Sequence, residues 1–312
     1  MKQRPRVIAV VVTWNRRDLL AESLAGITGH TRRPDAVVVV DNASTDGTPD
    51  LIAADFPAVD LVRIDTNTGG AGGFSVGLTR ALALRADLVW LMDDDTVPEP
   101  AALQALIHAR EAYRGDSPVL VASKVVWTDG RDHPMNTPRA KPGVSDAERE
   151  AAEMVGCLPI RSASFVSILV DAGVVRRRGL PLADYFLWND DFEFTTRLLR
   201  RRHGLYCPAS VVVHKTTTFG ATDADPGERF FYEVRNKVWL FTRSRGLEPV
   251  ERAVYAGSTL RRWARTFAAS RDRATLAKGL GNGLLTGLLH GPRPTDEVLT
   301  AAGIDPSTGA RR

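Results

Sequence analysis

Between residues 7 and 92 the chain alternates short, wholly apolar runs with longer stretches whose apolar residues recur every three to four positions. Runs of Val, Ile and Leu without polar interruption mark strands covered on both faces, and the helical stretches between them can cross back over a sheet. The pattern predicts strands at Val7–Thr13, Ala36–Asp41, Val59–Ile64 and Leu88–Met92, separated by helices at Arg17–Ile27, Thr48–Asp55 and Gly73–Arg85. This is a doubly wound α/β fold, with a mostly parallel sheet flanked by helices. A helix at Glu99–Tyr113 and a strand at Val119–Trp127 follow, and then a Pro-rich, charged stretch, Thr128–Pro159, that reads as a long loop or partly ordered excursion over the strand ends. Strands at Ser164–Val170 and Tyr206–His214 bracket a helical pattern over Asp191–Arg202, and from Phe230 the chain reads as helical to near Leu289. The pattern divides the chain into an α/β domain, residues 1–240, and a C-terminal helical extension, residues 241–312.

Composition narrows the class. With 312 residues, 44% hydrophobic and 25% charged, the chain suits an ordinary globular protein and excludes disordered or collagen-like types. The net charge of +4 is unevenly spread: from Arg252 onward there are ten Lys/Arg against four Asp/Glu, and before it 31 against 33. A basic tail on a slightly acidic body argues against a nucleic-acid binder. Two cysteines, Cys157 and Cys207, lack metal-like spacing and fit a reducing cytoplasm. Lys2, Arg4 and Arg6 ahead of Val7–Val12 imitate a leader, but charge returns at Arg16 without a small-residue cleavage site. No stretch approaches the roughly 20 apolar residues of a membrane span, so the expectation is a soluble or peripheral protein.

Polar residues gather where the predicted strands end, at Thr13-Trp14-Asn15, Asp41-Asn42, Asn67 and Asp93-Asp94-Asp95. In open α/β sheets ligands lie beyond that edge. Alternate residues of an extended segment share a side, so Asp93 and Asp95 can hold one hard divalent cation while Asp94 points elsewhere. The competing reading is an acidic turn capping the next helix. Asn67-Thr68-Gly69-Gly70-Ala71-Gly72-Gly73 is either a loop whose backbone approaches a phosphate or a tight turn. A dinucleotide-binding glycine fingerprint would follow the first strand, where Thr13-Trp14-Asn15-Arg16-Arg17 stands instead, which argues against a dehydrogenase. In Trp188-Asn189-Asp190-Asp191-Phe192-Glu193, a carboxylate opening a helix is either a base for a hydroxyl proton or a partner of the helix dipole. Asp191 and Glu193 lie about 200° apart on a helix, so they hold different roles. His214 closes its strand either as a third metal ligand or as a structural histidine.

Taken in order, Val10–Arg16, Val40–Thr48, Asn67–Phe74, Asp93–Asp95 and Trp188–Glu193 resemble the motifs of family 2 glycosyltransferases with the GT-A fold, over about residues 6–240. The paired glycines, the triple Asp, the Trp-Asn-Asp-Asp-Phe-Glu segment and Arg235-Asn236 are similar to those of actinobacterial galactofuranosyltransferases of cell-wall galactan assembly; related rhamnosyltransferases share much of the set. The resemblance implies that Thr13 and Asp41 contact the nucleoside and that Asn67, Gly69, Gly70 and Gly72 lie by the sugar diphosphate, with Asp94 also on the substrate side. It implies Mn2+ or Mg2+ on Asp93, Asp95 and His214, and Asp191 as catalytic base. Asp190 and Glu193 would grip substrate hydroxyls, and Trp188 would pack on a sugar face. Asn189 departs from polymerising relatives, so no polymerase activity is carried over.

The implied reaction is inverting transfer from a nucleotide sugar, UDP-galactofuranose first and dTDP-rhamnose as the alternative, to a polyprenyl-linked glycan at the inner face of the plasma membrane. A nucleotidyltransferase would want an Arg/Lys-bearing glycine loop after the first strand. A non-catalytic glycan-binding module would have lost an acid that is present here. For the C-terminal helices, with Val250, Val254, Leu260, Trp263 and Phe267 at helical spacing beside Arg252, Arg261, Arg262 and Arg265, peripheral membrane contact and homo-oligomerisation are both open.

Overall fold

The computed structural model describes residues 4–219 and 225–311; Lys2, in the leader-like segment, lies outside them. The first half follows the apolar pattern. Strands β1 (Val7–Thr13), β2 (Ala36–Asp41), β3 (Asp60–Arg63) and β4 (Leu88–Asp93) alternate with helices α1 (Arg17–Thr28), α2 (Thr48–Asp55) and α3 (Gly69–Ala83). All of β1 is buried, the environment its unbroken Val/Ile content requires. It pairs parallel with β2 on one side and β4 on the other, and β2 continues parallel to β3. The strand order therefore reverses between β1 and β4, where a doubly wound sheet opens its ligand crevice. Register sets Val12 against Asp93, bringing Thr13 and the acidic turn side by side.

Beyond β4 come β5 (Thr96–Pro98), α4 (Ala102–Ala112), β6 (Leu120–Val126), β7 (Arg139–Ala140), α5 (Asp146–Glu153), β8 (Leu158–Ser162), β9 (Ser167–Asp171), α6 (Ala172–Arg178), α7 (Asp190–Leu198) and β10 (Gly204–His214). The sheet runs β3-β2-β1-β4-β9-β6-β10-β8-β7, with β5 added on β10. It is parallel from β3 to β4 and mixed beyond: β9 is antiparallel to β4 and β6, while β10 is parallel to β6 and antiparallel to β5 and β8. The stretch expected as a loop at Thr128–Pro159 holds a 3-10 turn at Pro134–Asn136, β7 and α5, whose N-terminus is capped by Ser145. Its two-residue strand and sparse large apolar residues gave no period to read.

Alternate residues of the central strands feed two cores. Ile8, Val10, Val38 and Leu91 pack with Phe74 and Leu78 of α3, whereas Val7, Val11 and Trp90 pack with Leu20, Leu24 and Leu103 on the opposite face. Helix α3 begins at Gly69, one turn before the expected Gly73. The glycines are its first turn: Gly69 has φ +70° and lies against the Phe186 carbonyl, and Gly73 lies against Val12 of β1. A side chain at either place would collide with fixed neighbours.

The single long helical region expected after Phe230 is three helices, α8 (Phe230–Thr242), α9 (Pro249–Ala269) and α10 (Arg273–Leu289). The breaks have local causes: Glu248 and Glu251 form a capping box with Pro249 as the first helical residue, and Asp272 caps α10 by accepting the Thr275 N–H. A further helix, α11 (Thr295–Ala301), returns to the α/β body, where Val298, Leu299, Ala302 and Ile304 join the core beside α3. A buried ion pair, Arg161 Nε to Glu251 Oε1 at 2.6 Å, fastens α9 to β8. The helices beyond residue 240 are thus packed into the first domain at both ends. Among the described residues no helix is long and apolar enough to cross a membrane.

Candidate active site

The acidic turn after β4 is folded back by β5, whose antiparallel pairing sets Thr96 opposite His214 at the end of β10. Lys215 N–H donates to the Asp95 carbonyl at 2.8 Å and holds that juncture. His214 Nε2 consequently lies 3.0 Å from Asp95 Oδ1, and ligand atoms of Asp93, Asp95 and His214 all fall within 4.8 Å of one another. Asp94 turns to the other side, where it accepts the Trp14 N–H at 3.3 Å and stands 3.7 Å from Arg16 Nη1. Arg16 also bonds Asp95. Helix α4 starts at Ala102 without a side-chain cap, so the acidic turn does not serve as its cap.

Electrostatics divide the three acids. Burial, then repulsion from Asp95 and Asp94, pushes Asp93 up to about 7 against the pull of His214. Burial and Asp95 likewise raise Asp94 to about 6, although Arg16 opposes them. Burial also acts upward on Asp95, but the His214 hydrogen bond and charge, with Arg16, outweigh it and hold Asp95 below the ordinary carboxylate range. For His214, burial acts downward and the Asp95 bond and charge win, so its pKa is raised. Carboxylates this crowded favour a bound cation or proton.

His214 is aimed from behind. Its Nδ1–H donates to Asn136 Oδ1 at 2.9 Å, and Asn136 Nδ2 donates to Ser164 Oγ at 3.1 Å. With Nδ1 so engaged, Nε2 is the nitrogen presented to the acids, the arrangement by which an outer partner orients a metal-binding imidazole. Asn136 belongs to the excursion after β6, which thereby reaches the site. Hard carboxylate oxygens with one imidazole suit Mn2+ or Mg2+, and three protein ligands leave positions for phosphate oxygens.

The second carboxylate group enters through a strained loop. Phe186, Trp188 and Asn189 have φ of 61°, 65° and 65°, in the left-handed region. At roughly 1 kcal/mol or more per residue this conformation needs outside support. Buried Asn236 of α8 supplies it, donating from Nδ2 to the carbonyls of Tyr185, Leu187 and Trp188 at 2.9, 2.8 and 2.9 Å. With only two N–H groups on that amide, one is shared between two of these carbonyls, and together they contribute about 2 kcal/mol against the strain. Arg235 Nη2 adds a 2.7 Å bond to the Asp184 carbonyl. The loop so held delivers Asp190 and Asp191 to the first turn of α7.

Burial raises Asp191 above its ordinary range, with the Phe192 N–H, donated at 2.6 Å, and Lys237 and Arg139 pulling the other way. Burial, then the Asp191 charge, hold Asp190 well above that range. Asp191 adds to the repulsion at Asp93, and Asp93 to that at Asp190, so the two acidic groups lie near enough to feel each other's charge. Phe192 and Tyr255 of α9, 5.1 Å apart, lie beside Asp191, with the Arg139 guanidinium over both rings. Glu193, expected to grip substrate hydroxyls, has partners within the protein. It is 1% exposed, ion-paired to Arg197 at 2.9 Å, and accepts the Ser244 hydroxyl at 2.9 Å. The i,i+4 arginine on the same helix claims this carboxylate.

At the other strand ends, Asp41 is 1% exposed and accepts the Ser44 N–H at 3.0 Å. Asn42 ties two loops together, accepting the Thr68 N–H at 2.8 Å and donating to the Gly69 carbonyl at 2.9 Å. Asn67 accepts the Gly69 N–H at 2.8 Å, and the Ala71 N–H is taken by the Phe186 carbonyl at 3.3 Å. Two of the amides that a glycine loop would offer an anion are therefore used within the protein. Gly72 packs on Thr68, while Gly70 has open space. Thr13 is buried at the end of β1, Trp14 beside it is 51% exposed, and Trp188 is half-buried. Sequence reading missed Arg16, Asn136, Asn236 and Lys237 as site residues; of these, only Asn236 had a signal, the Arg235-Asn236 pair.

Comparison with known proteins agrees with this geometry. Residues 8–163 match the family described as Glycosyl transferase family 2. Galactofuranosyltransferase GlfT1 of Mycobacterium tuberculosis (strain CDC 1551 / Oshkosh) is 32% identical over 268 residues, covering 76% of this chain and 82% of the relative. The GlfT1 of Mycolicibacterium smegmatis is 31% identical over 201 residues, covering 62% and 65%. Among solved structures, S. aureus TarS 1–349 superposes with a TM-score of 0.62 at 16% identity, covering 89% of this chain and 80% of TarS 1–349. The mannosyltransferase PcManGT from Pyrobaculum calidifontis, solved with GDP-Man and Mn2+, has a TM-score of 0.52 at 19% identity, covering 92% and 88%. These structures share the GT-A fold with the present sheet. The chain belongs to glycosyltransferase family 2.

Proposed function

We propose that this glycosyltransferase is an inverting, metal-dependent enzyme that transfers galactofuranose from UDP-galactofuranose to a lipid-linked glycan at the cytoplasmic face of the membrane. The observation that carries the reading is a cation-competent Asp93, Asp95 and His214 set within reach of the charge of Asp191, a carboxylate whose proton affinity burial has raised. The galactofuranosyl donor and glycan acceptor are taken from the likeness to the GlfT1 enzymes.

Asp191 accepts the proton of the acceptor hydroxyl as its oxygen attacks the anomeric carbon. The bond from that carbon to the diphosphate breaks with its electron pair leaving on the nucleoside diphosphate, and the new glycosidic bond forms on the opposite face. A bound Mn2+ or Mg2+ supplies positive charge for the departing diphosphate. Arg16, already beside Asp94 and Asp95, orients the same phosphates. Thr13 and Asp41 wall the nucleoside, with Asn67, Gly69, Gly70 and Gly72 shaping the helix end beside the diphosphate. Asp190 hydrogen-bonds a sugar hydroxyl, and Trp188 packs on a sugar face.

The test is turnover of a panel of nucleotide sugars with a lipid-linked disaccharide acceptor, with and without Mn2+. UDP-galactofuranose should be consumed only with the metal present. Transfer from dTDP-rhamnose without transfer from UDP-galactofuranose sinks the donor assignment, and full activity in chelator sinks the cation site.

A further inference from the structure

Helix α10 is built inside out. Gly279, Gly283 and Gly287 face α8, where a Cβ on Gly283 or Gly287 would come within 2.7 Å of the Cβ of Val234 or Val238. The leucines of the same turns face away: Leu285, Leu288 and Leu289 are 60%, 61% and 66% exposed, and Leu284 is 37% exposed. A helix that packs through glycines and presents leucines to the outside leaves a contiguous apolar strip that water does not favour.

Beside this strip lies a cleft of about 480 Å³ bordered by α6, α7, the α8–α9 connection and the start of α11. Arg178, Arg243 and Arg245 line it, all exposed, and among the described residues none of the three takes part in an ion pair. The carboxylates there are exposed Asp296 and Glu193, the latter committed to Arg197. Strip and cleft are physically joined, since Arg243 Nη2 donates to the Leu288 carbonyl at 3.2 Å. Arg176 and Arg177 extend the positive charge along the end of α6.

We propose that this edge, leucines of α10 with arginines of α6 and the α8–α9 connection, docks the enzyme on an anionic phospholipid surface. The pairing of guanidinium groups that have no carboxylate partner with adjacent exposed leucines is complementary to phosphate headgroups above acyl chains. A second copy of the chain would have to bring its own acidic patch to the arginines, and a copy of this same edge brings three arginines against the single exposed carboxylate of Asp296. The docking surface thus includes Arg178 of the α/β body and is not confined to the basic tail. It is independent of the donor and acceptor assigned above, because vesicle binding requires neither.

The experiment is co-sedimentation of the full chain with vesicles of phosphatidylcholine alone or containing phosphatidylglycerol. Binding is expected only with phosphatidylglycerol and should weaken as salt rises. Arg178→Glu/Arg243→Glu/Arg245→Glu should reduce it on the order of 100-fold, each near-surface arginine contributing roughly a fivefold factor. Arg178→Lys/Arg243→Lys/Arg245→Lys should retain it, which separates charge from misfolding. Leu285→Gln/Leu288→Gln should lower it about tenfold or more, the order expected for two large apolar side chains, with unchanged UDP binding as the fold control. The proposal is overturned if charge reversal leaves vesicle binding intact. It is equally overturned if the leucine variants only convert an oligomer to a monomer, or if inorganic phosphate displaces the vesicles better than chloride at equal ionic strength.

Discussion

The two acidic groups of the crevice have the same kind of residues and opposite surroundings. Of the acids that end the buried strand β4, Asp94 and Asp95 meet cationic partners, Arg16 and His214, from other parts of the fold, whereas burial raises Asp93. Asp190 and Asp191 open a helix and are made proton-hungry mainly by burial, while their helix neighbour Glu193 is neutralised by Arg197. A carboxylate that attracts fixed cations can keep its negative charge for a metal, and one raised by burial can take up a proton. The difference between holding charge and moving protons lies in what each group faces.

The largest effect expected from this contrast is at Asp191. Asp191→Asn should lower kcat by about 10²–10⁴, the usual contribution of a positioned base, while Mn2+-dependent UDP binding in calorimetry stays intact. Loss of UDP binding instead would move Asp191 to the charge-holding side. Next is Glu193→Gln, which should cost roughly 1–3 kcal/mol of stability by taking the carboxylate from half-buried Arg197, which keeps its backbone carbonyl partners. Denaturant unfolding would show it, and a variant of normal stability but abolished acceptor saturation would return Glu193 to the substrate. Asn136→Ala should weaken Mn2+ binding by about 10–100-fold through loss of the His214 anchor, read as manganese spin-resonance titration; unaltered affinity would mean that His214 needs no anchor. The smallest and most diagnostic is pH. Asp191 must be ionised to act, and its folded pKa is raised, so kcat should rise with pH, up to about tenfold per unit, until that pKa is passed. The acid limb should lie above the ordinary carboxylate value of about 3.9 and vanish in Asp191→Asn. A limb at that ordinary value would show that burial does not govern the base.

Much of the fold was readable because β1, β2 and β4 carry unbroken apolar runs, and the metal-competent acids followed from their place at a strand end. Three things escaped. The first turn of α3 was read as loop because glycine has poor helix propensity, yet contacts with Phe186 and Val12 exclude any larger residue there. Strands β5 and β8 are short and partly polar, and they exist because β10 is there to pair with. Asn136 and Asn236 look like ordinary polar residues until topology sets one behind His214 and the other under the loop before α7. Position along the chain identified the acids, and long-range contact identified what aims them. Glu193 shows the converse: spacing separated it from Asp191, but only the fold revealed that Arg197 and Ser244 had claimed it.

The return of α11 to the core bears on the order in which the protein is made. Val298, Leu299 and Ile304 cover α3, so the face of that helix remains open while the α8–α10 segment is already leaving the ribosome. The glycine-rich end of α3 is already tied to Asn42 and Phe186, and the outer face of the helix is covered only when this later stretch arrives. A nascent chain halted before residue 298 would carry every acid of the active site on a scaffold that has not yet closed, a window in which a chaperone or a protease would meet exposed α3.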